Sequence, residues 1–315
     1  MNQRVSCVLP MLAAVLFLAL RPAAAEIIHY QQLIGQNAGL VHHWNFEGAT
    51  DAERRQDKAS SANLIHLASS GLSPDYDVAG FAVPGFDASS TAVRTKRTSR
   101  TTGAGFGTAS GVALGDTVHV EAIFQPTASS FGGVSGPYVG YVVANRTGSG
   151  ASTNRGYFLM QGGPDEDTEN LNLLAGDWST SATENVLSPL IAGNWYFYSA
   201  SFVWDGSGTT VNAWIADLNA ANPALSKVVD DVVLIGQSFT RTSAPLCIGN
   251  GTFVGGTDSF PGLIDEVAIF NTALSAATVE AHFNAIMVPE PSGFVLMLFG
   301  LAALALVGGR RRPGK

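Results

Sequence analysis

Two-residue alternation of apolar and polar positions runs through the middle of the chain and predicts strands. Over 117–124, Val118, Val120, Ala122 and Phe124 share one face, and Pro126 follows as a stop. Over 195–204 the even positions Tyr196, Tyr198, Ala200, Phe202 and Trp204 form an apolar stripe. Asp205-Gly206-Ser207-Gly208 then has turn chemistry. Val211, Ala213 and Ile215 line one face of the returning segment, so the two segments predict a hairpin. Residues 263–270 form a further strand unbroken by Gly or Pro. Helical spacing appears only after Ser275, a capping residue followed by Val279, Phe283 and Ile286 on one side. Stretches such as 147–154, rich in Gly, Ser, Thr and Asn, read as loops. There is no internal repeat. Many short strands punctuated by turns predict an all-β fold, a two-sheet antiparallel sandwich.

The two ends break this pattern. Arg4 precedes an apolar run from Val8 to Leu20, and Ala23-Ala24-Ala25 supplies an A-x-A site. That order predicts a cleaved secretory signal peptide over 1–25. At the other end the chain from Gly293 to Gly309 carries no charge, and Arg310, Arg311, Arg312 and Lys315 follow. As a helix it would extend about 25 Å, enough to cross a bilayer with a thinned core or snorkelling arginines. The basic tail would stay cytoplasmic and leave the rest of the chain outside. Just upstream, Pro289-Glu290-Pro291 is held extended by its two rings.

The tail of Pro289, Glu290 and Pro291, an apolar span over 294–307 and Arg310, Arg311 and Arg312 resembles the PEP-CTERM sorting signal of Gram-negative bacteria. The resemblance implies an exosortase-type processing protease as partner. It also implies inner-membrane anchoring by a C-terminal transmembrane helix before cleavage, then transfer to the cell surface or extracellular matrix of an exopolysaccharide producer. Hydropathy alone leaves a permanent single-span anchor open.

Composition changes the picture in three ways. The 315 residues leave 26–287 as one large domain, with 288–315 as the sorting segment. The segment 26–292 keeps all 25 acidic residues but loses Arg4, Arg21, Arg310, Arg311, Arg312 and Lys315 from the 17 basic ones. So acidic a surface repels phosphate backbones, which argues against nucleic acid as a partner. A local basic run, Arg94-Thr95-Lys96-Arg97 with Arg100, reads as the guard of an edge strand. Once Cys7 leaves with the signal, Cys247 is alone, so no internal disulfide can form and its apolar flanks predict a buried thiol.

Three segments resemble a LamG-like, concanavalin A-like jelly roll. They are the opening Gly39-Leu40-Val41-His42-His43-Trp44-Asn45-Phe46-Glu47, the central Val120-Glu121-Ala122 with 195–206, and the closing 262–270 with Ala273-Leu274-Ser275. Ile123 and Phe197 depart from the family's usual Trp and His. The resemblance implies a β-sandwich that often binds glycans or proteins, sometimes with calcium.

The chain carries no E-x-D-x-x-E string of the related glycosidases, and no G-x-S-x-G, H-E-x-x-H or phosphate-binding loop. Asp265 and Glu266 are adjacent and are expected to point to opposite strand faces, so they would not act as a catalytic pair. No catalytic residues are assigned, and the expectation is a non-enzyme. Asp265 is expected on the face of Leu263, Val267 and Ile269, where a lone carboxylate needs hydrogen bonds or a cation. Glu47 and Asp57 could complete a structural calcium cage around it. Backbone hydrogen bonding to Asp265 is the alternative. His42 and His43 should point oppositely and do not suggest zinc. Trp44, Trp195 and Trp204 read as core. Trp214, beside Asn212, and Trp178, in a loop-like stretch, are the candidate stacking residues for a sugar. The resulting expectation is an exported binding protein of the cell surface or biofilm matrix that recognises polysaccharide. A structural or adhesion protein with a surface-protein partner, and a glycoside hydrolase, stand as alternatives.

Overall fold

The computed structural model describes residues 26–68, 71–81, 90–99, 102–112, 114–127, 139–146, 155–162, 171–177, 182–187, 190–235, 245–251 and 258–287. The expected signal peptide, Trp178, Arg100, the loop at 147–154 and the sorting segment with its apolar span lie outside them. Among the described residues no helix is long and apolar enough to cross a membrane.

In chain order the elements are α1 (Glu26–Gly35), β1 (Leu40–Trp44), α2 (Asp51–Arg54), β2 (Leu64–Ala68), β3 (Asp75–Ala79), β4 (Thr91–Ser99), β5 (Thr102–Thr108), β6 (Thr117–Pro126) and β7 (Val139–Arg146). There follow β8 (Arg155–Gly162), β9 (Leu171–Asp177), β10 (Ala182–Leu187), β11 (Tyr196–Trp204), β12 (Gly208–Asp217), β13 (Ser226–Ile235), β14 (Leu246–Ile248), β15 (Gly262–Phe270) and α3 (Ala276–Met287). All paired strands are antiparallel, as the alternation predicts. One layer has the order β4-β15-β6-β11-β12-β13, with β1 also on β15 and β3 on β4. The other runs β10-β9-β8-β7-β14-β5, with β2 on β5.

The basic run does not guard an edge. Its strand β4 pairs with β15 through Val93, Arg94 and Thr95 and with β5 through Lys96, Arg97 and Ser99, so it passes from one layer into the other. One of its charges is paired locally: Lys96 Nζ lies 2.5 Å from Asp75.

The main core lies between the layers and holds the alternating stripes expected there. Val118, Val120, Ala122 and Phe124 of β6 meet Tyr196, Tyr198, Ala200 and Phe202 of β11 and Val211, Ala213 and Ile215 of β12. A second apolar layer covers the opposite face of the first sheet. There Tyr30 and Ile34 of α1 and Val279, Phe283 and Ile286 of α3 pack on Ile123, Phe197, Trp214, Ala268 and Phe270. Ser275 caps α3 by accepting from the Thr278 N–H at 3.1 Å. Cys247 is a buried thiol in no disulfide, as expected.

Candidate functional site

β15 carries a bulge that overturns the expected side-chain directions. Ile264 pairs with Phe124 and Glu266 with Ile123, so two steps on β15 match one on β6 and Asp265 is the extra residue. Val267 and Ile269 therefore enter the main core, whereas Leu263 joins the helix-covered layer. Asp265 does not share a face with all three. Its Oδ2 accepts from the Phe81 N–H at 2.6 Å and from Ser90 Oγ at 3.1 Å. Glu266, one residue on, meets His43 and Gln31. Both carboxylates thus turn to the helix-covered side, not to opposite faces. Burial, and then the neighbouring Glu266 charge, push the Asp265 carboxyl well above the usual carboxylate range.

The three expected calcium ligands are not brought together. Glu47 ties the end of the opening segment to β4, accepting from the Thr91 N–H at 3.0 Å and from its hydroxyl at 3.1 Å. Asp57 organises a different loop. Its Oδ1 accepts from the N–H groups of His43 at 3.0 Å, Ala59 at 2.9 Å and Ser60 at 3.1 Å, and its Oδ2 lies 2.7 Å from His42 Nδ1. Burial alone would raise the Asp57 pKa, but the His42, Ser60 and backbone hydrogen bonds outweigh it and lower it. Asp57 thus has its bonding directions committed to the loop. Among the described residues no group of three or more His, Cys, Asp or Glu side chains is arranged to hold a metal ion.

Trp214 is not open for stacking. It faces the helix-covered layer with 6% of its surface exposed, and Lys227 Nζ lies 5.4 Å from its ring centre. Trp44 and Trp195 are buried, as expected, and Trp204 packs against the main core.

What the fold does assemble is a pocket of ≈ 450 Å³ at the junction of α1, β1 and the loop after α2. Three local structures shape it. Along α1, Tyr30 and Ile34 are one turn apart and face the sheet, which leaves Gln31, Gln32 and Gly35 toward the pocket. At the end of α1, Asn37 makes a turn: its Oδ1 accepts from the Gly39 N–H at 3.0 Å, and its carbonyl accepts from the Leu40 N–H at 3.0 Å. On the far side, the Lys58 N–H donates to the His43 carbonyl at 2.7 Å, so Lys58 and Ala59 are pinned to β1. With Leu40, His43 and Asn45, these residues line the pocket.

His43 sits at the back. β1 alternates, so Trp44 enters the main core and His43 turns the other way, opposite Ala268. Its Nε2 lies 2.6 Å from Glu266 Oε2. Gln31 Nε2 donates to the other Glu266 oxygen, and Asn45 Nδ2 donates to Gln31 Oε1 at 3.3 Å. A chain of hydrogen bonds therefore runs from a buried carboxylate to the amides at the surface.

A second buried carboxylate lies deeper beneath α1. Glu121, fully buried on β6, accepts from the Tyr30 hydroxyl at 3.0 Å and from Ser199 Oγ at 3.2 Å, and His282 Nδ1 of α3 lies 2.9 Å from it. His119 Nε2 lies 2.7 Å from Ser199 Oγ. Burial alone would raise the Glu121 pKa, but the hydrogen bonds and charge of His119 and His282 hold it down to about 2. Burial pushes the His119 pKa down. Burial and the nearby Glu121, Glu266 and Asp265 charges raise the Tyr30 hydroxyl, which therefore remains a proton donor. Ser, His and Glu stand together here, buried under two helices.

Residues 142–280 match the family model described as the concanavalin A-like lectin/glucanases superfamily, and residues 288–312 match that of the PEP-CTERM protein-sorting motif. The chain carries a concanavalin A-like domain. The sorting motif implies an exported protein processed by an exosortase. No curated protein matches the chain. Among solved structures, domain 4 of AbnA, a GH43 extracellular arabinanase from Geobacillus stearothermophilus in complex with arabinotriose, superposes with a TM-score of 0.51. It is 16% identical, over 78% of this chain and 99% of that one, and shares the fold. The enzymatically active domain of bacteriophage CBA120 tailspike protein 2 gives a TM-score of 0.47 at 14% identity, over 72% of this chain and 31% of its own. Trypanosoma rangeli sialidase in complex with sialic acid gives 0.45 at 12% identity, over 87% of this chain and 38% of its own.

The pocket, lined by residues between Gln31 and Ala59 and so outside the matched stretch, carries little signal in the sequence. Its amides come from a helix, a turn and a strand end, and Gln and Asn at such places carry no pattern. Only the unusual His42-His43 pair gave a signal, and its two rings do point oppositely, one to Asp57 and one to Glu266.

Proposed function

We propose that this exported protein is a glycan-binding protein of the cell surface or extracellular matrix, and that the amide-lined pocket takes the sugar. The supporting observation is the lining itself. Gln31, Gln32, Asn37 and Asn45 each carry amide donors and an acceptor on one planar group; part of that capacity in Gln31, Asn37 and Asn45 holds the pocket together, and His43 and Lys58 add two further polar groups. Vicinal sugar hydroxyls present the matching alternation of donor and acceptor. No Trp, Tyr or Phe is among the described residues that line the pocket, so hydrogen bonds rather than stacking would set its specificity. That differs from stacking on Trp214, which is buried, and Trp178 lies outside the described residues.

Binding without cleavage fits the carboxylates. Glu266, the acid behind the pocket, is fully buried and has both oxygens engaged by His43 and Gln31. In most glycoside hydrolases two carboxyl groups flank an accessible bond. Asp265 is buried as well and directs Oδ2 at Phe81 and Ser90.

A glycan array probed with the purified protein tests the reading. Retention of a glycan by the wild type, lost in Gln32→Ala and Asn45→Ala variants that melt normally, is the expected result. No retained glycan removes the binding role. Steady release of reducing ends from soluble polysaccharide would make the protein a hydrolase instead.

A further inference from the structure

One wall of the pocket belongs to the N-terminal helix. α1 is ten residues long, too short to hold its shape alone in water. Its form therefore depends on docking. Tyr30 and Ile34 supply apolar contact, and two polar bonds reach through the layer: Tyr30 hydroxyl to Glu121, and Gln31 amide to Glu266. The second of these joins a pocket-lining side chain directly to the acid that holds His43.

The two anchors differ in kind. The Gln31 bond lies at the pocket, where a ligand would compete for the amide. The Tyr30 bond lies away from the lining, and Glu121 keeps His282 and Ser199 when Tyr30 leaves. Loss of the Tyr30 bond therefore loosens α1 without stripping Glu121 of all its partners.

We propose that Tyr30 is a positioning residue for the pocket: its hydroxyl, bonded to Glu121, keeps α1 seated, and the pocket exists only while α1 is seated. This rests on the reading of the pocket as the ligand site, but the seating can be measured without a ligand. Release of α1 removes Gln31, Gln32 and Gly35 from the lining and uncovers His43, whose ring is otherwise almost fully enclosed. By linkage, a ligand that grips Gln32 in the seated helix without displacing the Gln31–Glu266 bond must in turn tighten α1.

The Tyr30→Phe variant keeps the ring and removes only the hydroxyl. A lost hydrogen bond to a charged group corresponds to about a tenfold change in an opening equilibrium. Hydrogen exchange of the α1 amides should therefore speed up about tenfold, while β6 and β11 keep their protection. Carbethoxylation of His43 by diethyl pyrocarbonate, mapped by mass spectrometry, should rise by the same factor, with the surface-exposed His66 as the unchanged control. Equal acceleration in α1 and in β6 would mean that the helix opens only with the whole domain, and the proposal falls. Unchanged α1 exchange or unchanged His43 labelling also overturns it. A glycan array that retains nothing, with exchange and labelling as expected, would remove the sugar reading and leave the seating of α1 standing.

Discussion

Glu266 Oε2 lies 2.6 Å from His43 Nε2, and both side chains are buried. β15 and β1 are neighbours only from Val267 onward, so this contact and the Gln31 bond close the gap at the bulge. In a Glu266→Ala variant His43 and Gln31 lose their acceptor inside the layer. Stability should fall by about 2 kcal/mol, read as a lower denaturant midpoint at unchanged slope. A midpoint equal to the wild type would show that the contact contributes nothing.

Asp265 works against the fold as pH rises. Its folded pKa is raised, so its favourable contribution is complete below the unfolded value near 3.8 and is lost as pH climbs through the folded one. The limiting slope is about 1.4 kcal/mol per pH unit. Asn imitates the protonated acid, so Asp265→Asn should stabilise the protein more at pH 8 than at pH 5. Equal gains at both values would show that the carboxyl does not titrate in this way.

Glu121 and His119 act with the opposite sign. Both folded pKa values are lowered, so the fold weakens as pH falls, first below about 6.5 as unfolded His binds protons and then from 4.5 toward about 2 as unfolded Glu does. The second stage should be worth about 3 kcal/mol at most. In the Asp265→Asn background, where the opposing titration is gone, adding Glu121→Gln should flatten the stability profile below pH 4.5. A profile that keeps its acid slope would assign that slope to other groups.

Gly249 has a φ of 66° and lies where the chain leaves β14 of the second layer. A Cβ there would overlap the Thr95 side chain, which is itself held by its hydroxyl donating to the Phe260 carbonyl at 2.6 Å. Gly249→Ala should cost about 2 kcal/mol from backbone strain and overlap together. Thermal melting measures it, and a shift below one degree would mean that the turn adapts freely.

Trp214→Ala separates packing from recognition. The ring is buried under α3 and Lys227, so its loss should destabilise by about 3 kcal/mol. Glycan retention by the folded fraction should not change. Lost retention in a variant that melts normally would return Trp214 to the binding surface.

The strand stripes were legible because burial on one face imposes a period of two, and Tyr196 to Trp204 and Val118 to Phe124 keep it without interruption. The bulge was not. Asp265-Glu266 reads as ordinary alternation, and only the pairing with Phe124 and Ile123 reveals the extra residue. The role of Asp57 was hidden for a related reason: its partners are backbone N–H groups of a loop, which no sequence string records. The α1 helix carries little signal in the sequence because it follows the apolar run expected to be a signal peptide and is only ten residues long. Without it, the pocket amides could not be placed near His43.

The family match begins at residue 142, yet β15 inside that match takes its neighbours β1, β4 and β6 from the stretch before it, and β14 takes β5. A fragment excised at the matched boundaries would leave both flanks of its most buried strand raw. The first hundred residues of the body are thus not an accessory to a smaller folding unit, because they supply the strands that finish it.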